Sequence, residues 1–183
     1  MLFDESVMWR ILTRFFEEPE REFFVKELAR EIKISPGSAS RLCKELEIQG
    51  ILKSKETGRA LFYSLVNDGP FVRRLKSAWF VRLFLEFCDC QANPEIQSIA
   101  LYGSRASGEF ISNSDIDILI ISNVGKARLD VQFEKARKRF NEKLSLTMLA
   151  ISDWRRLAKK KDRFYIEVLS NHILLSGLSL VVG

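Results

Sequence analysis

No apolar run in this chain approaches the eighteen or so residues that a membrane-spanning helix needs, and the best candidate, Ala78 to Leu85, is broken by Arg82. The first ten residues, MLFDESVMWR, are acidic where a secretory signal would be basic. The expectation is therefore a cytoplasmic protein with no membrane partner. Cysteine is scarce: Cys43, Cys88 and Cys90 are three, an odd number without disulfide-like spacing, which fits a reducing compartment. Together with His172, the only histidine, they would nominally make a zinc set. Cys88 and Cys90 fall two apart on an expected helix, however, where side chains do not face each other, so zinc is not expected. A lone histidine near the end of a helix reads as packing or capping rather than chemistry. The chain has no internal repeats or low-complexity tracts, and its four prolines punctuate it.

What is present is an ordinary globular composition, 46% hydrophobic and 29% charged over 183 residues, enough for one large or two small domains. The net charge of +5 is uneven. Residues 1–70 hold 11 basic and 12 acidic side chains, whereas residues 95–183 hold 14 and 10. A positive excess in the C-terminal half suits nucleotide or nucleic-acid partners, and equally solubility.

Met8, Ile11, Leu12 and Phe15 repeat at helical spacing, as do Val25, Leu28, Ala29 and Ile32. Ser35 followed by Pro36 is an N-cap with proline at the first helical position, opening a third helix with Ala39, Leu42, Cys43 and Leu46 on its buried side and Gly50 as its stop. Two strand-like runs, Ile51–Lys55 and Ala60–Leu65, flank a Glu56-Thr57-Gly58-Arg59 turn. Three helices and a hairpin over residues 1–68 resemble a winged helix-turn-helix domain. That resemblance implies that the third helix enters the major groove of double-stranded DNA while the wing touches the backbone. It would place Ser38, Ser40, Arg41 and Lys44 on the groove face and Lys53, Lys55 and Arg59 on the wing. The six basic and three acidic residues between Lys33 and Arg59 make a weak electrostatic footprint, so a homodimer is expected on DNA. Winged helices also serve as protein-binding modules, and the acid-rich first helix would repel DNA if it faced it.

Gly69-Pro70 breaks the chain, and Phe71 to Cys90 then forms an expected linker helix within residues 69–94, apolar almost all round in its second half. Residues 95–183 form the remaining module. Its centre is IQSIALYGSRASGEFISNSDIDILIIS, residues 96–122: an apolar strand, a Gly103-Ser104 turn, a polar loop and a second strand. Asp115 and Asp117 are two apart, so both point to one side of that strand while Ile116, Ile118 and Ile120 point into a core. Paired carboxylates on a rigid strand call for a hard cation, Mg²⁺ or Mn²⁺. A glycine at a strand end allows close backbone approach to a phosphate, and Ser104 adds a hydroxyl.

This order, Gly-Ser, then ten residues, then Asp-x-Asp, resembles a minimal nucleotidyltransferase of the DNA polymerase beta superfamily. The resemblance implies an α/β (α+β) core with a small mixed sheet, in which Gly103 and Ser104 hold the phosphates of an NTP. Asp115 and Asp117 would be the metal-binding and catalytic carboxylates. Arg105 follows the turn directly and is a candidate for neutralising phosphate or for surface solvation. Family analogy adds a protein acceptor, a toxin-like partner. One departure stands out: the strand Leu144–Ile151 carries no acid where the family places a third carboxylate, and Glu142 and Asp153 flank it. Two readings therefore stay open. One is a Mg-dependent nucleotidyltransferase coupled to a DNA-binding domain; the other is a transcriptional regulator whose second domain only binds nucleotide or dimerises. The run Lys135, Arg137, Lys138, Arg139 reads as a solvated helix face.

Overall fold

The structure, a computed structural model, describes residues 6–58, 60–88, 95–123 and 133–181, and only the backbone of Glu142. Arg59, Cys90, Leu129 and the Asn93-Pro94 break lie outside the described residues. The chain is mixed α/β and divides into two compact units, Met1–Lys76 and Ser77–Gly183.

In the first unit α1 (Val7–Glu17), a two-residue strand β1 (Phe23–Phe24), α2 (Val25–Glu31) and α3 (Pro36–Ile48) precede β2 (Leu52–Thr57) and β3 (Ala60–Leu65). The three strands form an antiparallel sheet in the order β1-β3-β2. Ser35 caps α3, its side chain accepting from the Ser38 amide at 3.1 Å, with Pro36 at the first turn. The apolar stripes expected on the helices meet here: Ile11, Phe15, Leu28, Ala39 and Leu46 are fully or almost fully buried. Cys43 joins them, and burial pushes its thiol up to about 12, which makes it an inert core residue. β1 carries no periodicity to read at two residues; Phe23 is fixed by tertiary contact, with Phe15 at 4.9 Å edge-to-face. β2 is an edge strand, exposed from Lys53 to Thr57, and its lysines deter pairing with other chains.

The division between the units falls inside α4 (Pro70–Leu85), which ends earlier than the expected Cys90. Trp79, Phe80 and Phe84 make this helix part of the second unit's core: Phe80 lies 6.0 Å from Phe110, and Phe84 stacks on Phe140 at 5.8 Å. The helix expected as a linker thus supplies the apolar cover its sequence demanded.

The second unit then runs β4 (Ile96–Tyr102), α5 (Gly103–Ser107), β5 (Ile116–Ser122), α6 (Glu134–Phe140), a 3-10 turn, β6 (Leu144–Leu149), α7 (Ile151–Lys160), α8 (Arg163–Ser170) and β7 (His172–Gly177). The mixed sheet has the order β6-β5-β4-β7, with β5 and β6 parallel and the other pairs antiparallel. Both faces are covered. Ile99, Leu101, Ile118 and Ile120 are buried on one face; on the other, Ala100, Tyr102, Leu119 and Ile121 cluster with Trp154, Tyr165 and Val168 of α7 and α8. The strand side that carries Asp117 is therefore not an anionic surface along its length; past its first turn it is core. Trp154 donates its indole N–H to the Leu180 carbonyl at 2.9 Å, tying the residues after β7 to α7. Gly177 closes the sheet edge at φ +91°, where a Cβ would sit 2.0 Å from the Gln97 carbonyl oxygen, so no larger residue fits.

Candidate functional site

Tyr102 ends β4 opposite Asp117 near the start of β5, and this register brings the Gly-Ser turn to the acidic strand. Gly103 has φ +69°, and a Cβ built there would lie 2.7 Å from Asp117 Oδ2. The carboxylate thus occupies the space that glycine leaves open. Gly103 and Ser104 open α5, a five-residue helix in place of the expected loop, whose first N–H groups have no intrahelical acceptor. Gly108 ends it in the left-handed conformation at φ +79°.

Asp115 precedes β5 and is exposed; Asp117, on the strand, is half-buried. Among the described residues neither side chain makes a salt bridge or a side-chain hydrogen bond. Burial raises the Asp117 carboxyl above the ordinary range, and the negative charges of Asp115 and Glu167 push it the same way. Glu167, on α8, was not among the residues singled out from sequence: it is exposed, lies fifty residues further on, and has no motif to mark it. The same helix sets Phe164 edge-on against Tyr102 at 5.7 Å. Tyr102 shares a 3.1 Å hydrogen bond with Thr147, and its phenol is raised by burial, with the fields of Asp117 and Glu167 adding to the shift and the Thr147 bond opposing it. Across the four strands His172, Tyr102, Asp117 and Ser145 stand in one register row.

Arg105 does not face the turn's open side. It is 8% exposed, with its guanidinium 4.7 Å from the Phe80 ring centre and 4.2 Å from that of Phe110, and it donates to the Ser114 carbonyl at 3.0 Å. Burial holds it down, to about 10, against the opposing pull of Asp115. Surface solvation is excluded by that burial. Its geometry is that of a post beneath the segment leading to Asp115, pinning the chain just before the acidic pair.

Whether these groups suit a divalent cation turns on donors and charge. Two hard carboxylates, one of them raised by burial and by its acidic neighbours and neither in a salt bridge among the described residues, form a donor set that a hard cation relieves. Among the described residues, no set of three His, Cys, Asp or Glu side chains stands close enough to hold a metal ion. Substrate phosphates and water would have to complete the coordination.

In the first unit, Arg41 and Lys44 of α3 are exposed, while Ser38 and Ser40 are half-exposed on the same helix. Arg41 pairs with Glu45 at 3.1 Å. Lys53 and Lys55 stand on the exposed strand β2, and Lys55 lies 3.8 Å from Glu22. α1 itself holds one acid, Glu17, and the acids at its end and on α2 are engaged: Arg14 bonds Glu17, Glu18 and Glu31, and Arg21 bonds Glu18 and Glu27.

Residues 81–175 match the family model of the nucleotidyltransferase domain, just over half of the 183-residue chain. No curated protein matches. Among solved structures the chain is similar to a "possible transcriptional regulator" from Methanosarcina mazei Go1, at 18% identity over 44% of this chain and 74% of that one, TM-score 0.35. It is similar to Lactococcus lactis ZitR in complex with DNA, at 20% identity over 44% and 62%, TM-score 0.30. A toxin-antitoxin complex with AMP-PNP matches at 19% identity over 56% and 74%, TM-score 0.35.

Proposed function

The chain belongs to the nucleotidyltransferase domain family through residues 81–175, and from that premise we propose that its second unit passes a nucleoside monophosphate from an NTP to an acceptor hydroxyl or phosphate, with Mg²⁺ or Mn²⁺ at Asp115 and Asp117. The observation that carries this reading is the Asp117 carboxylate held against the Cβ-less face of Gly103, with no cationic partner among the described residues. When bound, the cation would neutralise charge on the triphosphate and lower the pKa of an attacking hydroxyl. The protein's own contribution is positional. Gly103 and Ser104 offer backbone N–H and hydroxyl donors to phosphate, and Asp117, whose charged form is disfavoured by burial and by its acidic neighbours, gains from a cation beside it. Arg105 keeps the approach to Asp115 rigid from below.

The first unit we read as a winged helix-turn-helix that binds double-stranded DNA through Ser38, Ser40, Arg41 and Lys44, with Lys53, Lys55 and Arg59 on the wing. Support comes from the exposure of Arg41, Lys44, Lys53 and Lys55, and from Glu17, Glu18, Glu27 and Glu31 being paired with Arg14 and Arg21. The absence of a third carboxylate beside Asp115 and Asp117, among the described residues, favours the second reading: a regulator whose second unit binds nucleotide without turnover.

Incubation with each α-labelled NTP and Mg²⁺, with and without cell extract, separates the two. Label passed to an acceptor by the wild type and not by Asp115→Ala or Asp117→Ala is the expected result. Saturable NTP binding without transfer would instead leave the regulator. For the first unit, Arg41→Ala/Lys44→Ala should weaken retardation of the protein's own promoter DNA about tenfold at 100 mM salt, since two phosphate or base contacts are lost. Retardation equal to wild type would remove the DNA role from α3.

A further inference from the structure

The α7–α8 hairpin carries a charge arrangement that neither the nucleotide site nor the fold uses. Between Asp153 and Arg163 there are six cationic side chains and two acidic ones. All six, Arg155, Arg156, Lys159, Lys160, Lys161 and Arg163, are exposed. The two acids are engaged: Asp153 pairs with Arg156 at 2.8 Å, and Asp162 caps α8 by accepting from the Phe164 amide at 2.9 Å. The other five cations have no ion pair among the described residues.

Complementing the helix dipole explains Lys159, Lys160 and Lys161 at the end of α7. It does not explain Arg155 and Arg156, one turn earlier. Those two stand four residues before Lys159 and Lys160, so like charges lie along two adjacent rows of the helix, an arrangement that opposes folding. By contrast the basic run on α6 is partly used at home: Lys138 pairs with Glu134, and Arg139 packs over Phe87 and Phe140. The chemistry of the partner follows from what the ridge lacks. The apolar residues of α7, Ile151, Trp154, Leu157 and Ala158, pack in the sheet-facing core, so α7 itself offers no apolar anchor to a protein or a bilayer; Ile166, one turn after Arg163 on α8, is exposed. Rows of arginine and lysine, three of each along the ridge, suit a phosphodiester backbone. The ridge ends at Arg163, next to Phe164, which touches Tyr102 across from Asp117.

We infer that the exposed face of α7, continued by Lys161 and Arg163, is a docking surface for single-stranded nucleic acid, with one end of the strand beside Asp117. Binding to this surface does not depend on the transferase reading; only the role of the strand's end does.

The full-length protein is titrated against fluorescein-labelled twelve-nucleotide oligouridylate and oligothymidylate, by anisotropy, between 50 and 200 mM salt. Arg155→Ala/Lys159→Ala/Lys160→Ala should bind at least tenfold more weakly at 100 mM salt, and the slope of log K against log salt should fall by about 2, near 0.7 for each lost phosphate contact. The two probes distinguish RNA from DNA as the preferred strand. Lys159→Gln/Lys160→Gln, which keeps the stems that cover α7, should lose proportionately less. Lys135→Ala/Lys138→Ala, two exposed cations of α6 outside the ridge, should retain wild-type affinity for these probes, which separates the ridge from basic charge in general. No binding of either oligonucleotide by the wild type, unchanged affinity and slope in both ridge variants, or an equal loss in Lys135→Ala/Lys138→Ala would overturn the assignment.

Discussion

Gly103→Ala is expected to lower nucleotidyl transfer at least 100-fold while leaving the protein folded. Two effects combine. At φ +69° an alanine costs about 1–2 kcal/mol, because its Cβ crowds the following carbonyl in the left-handed region. The new methyl would also lie 2.7 Å from Asp117 Oδ2, and a carboxylate at the end of a side chain is what gives way. Asp117 then leaves the mouth of the turn, and a displacement near 1 Å at a reacting centre is enough for a loss of about two orders of magnitude. Gly58→Ala isolates the backbone part, since Gly58 has φ +62° and nothing within 4 Å of a Cβ. Both variants should melt about 4 °C below wild type, and only Gly103→Ala should lose NTP binding and transfer. Wild-type transfer by Gly103→Ala would mean that the closeness of turn and carboxylate is irrelevant to the chemistry.

Asp117→Asn should abolish transfer, a fall of at least 1,000-fold, and at the same time stabilise the protein in chelator. The Asp117 carboxyl is raised in the fold by burial first, then by Asp115 and Glu167. A carboxyl raised above its unfolded value binds more protons in the native state, so stability falls as pH climbs from the ordinary carboxylate range through the raised one, and the deficit persists at neutral pH. Asparagine removes that charge. The variant should therefore melt about 2 °C above wild type at pH 7 without divalent cation, and the gap should close below the ordinary carboxylate range. Added Mg²⁺ should raise the wild-type melting temperature in proportion to its occupancy and leave Asp117→Asn unmoved. Identical melting curves at pH 7, with and without Mg²⁺, would count against both the strained carboxylate and the cation site.

Much of this arrangement can be read from the chain because strand alternation is local. Ile116, Ile118 and Ile120 share one face and Asp117 another, and glycine at the strand end marks the turn. The limits are equally physical. Leu119 and Ile121 share a face with Asp117, and that face is buried because α7 and α8 arrive from more than thirty residues further along. Arg105 looks like a phosphate ligand from its place beside Gly103-Ser104, yet a short helix turns it inward between Phe80 and Phe110, whose convergence is a tertiary fact. Five residues are too few for helical periodicity, so α5 looks like a loop. Glu167 comes within electrostatic range of Asp117 only through the packing of α8, and nothing in its neighbours distinguishes it from a solvated surface acid.

The order in which strands join the sheet bears on when the protein first becomes competent during synthesis. β4 pairs on one side with β5, some twenty residues later, but its other neighbour is β7, which is translated more than seventy residues after it. Until His172–Gly177 has cleared the ribosome, the strand that positions Tyr102 and Gly103 has an open edge, and α8, with Phe164 and Glu167, has barely emerged. Pairings so distant form late. A nascent chain would therefore complete its first unit long before the sheet that holds Gly103 against Asp117 closes, so the DNA-binding and transfer roles proposed above would arise in that order.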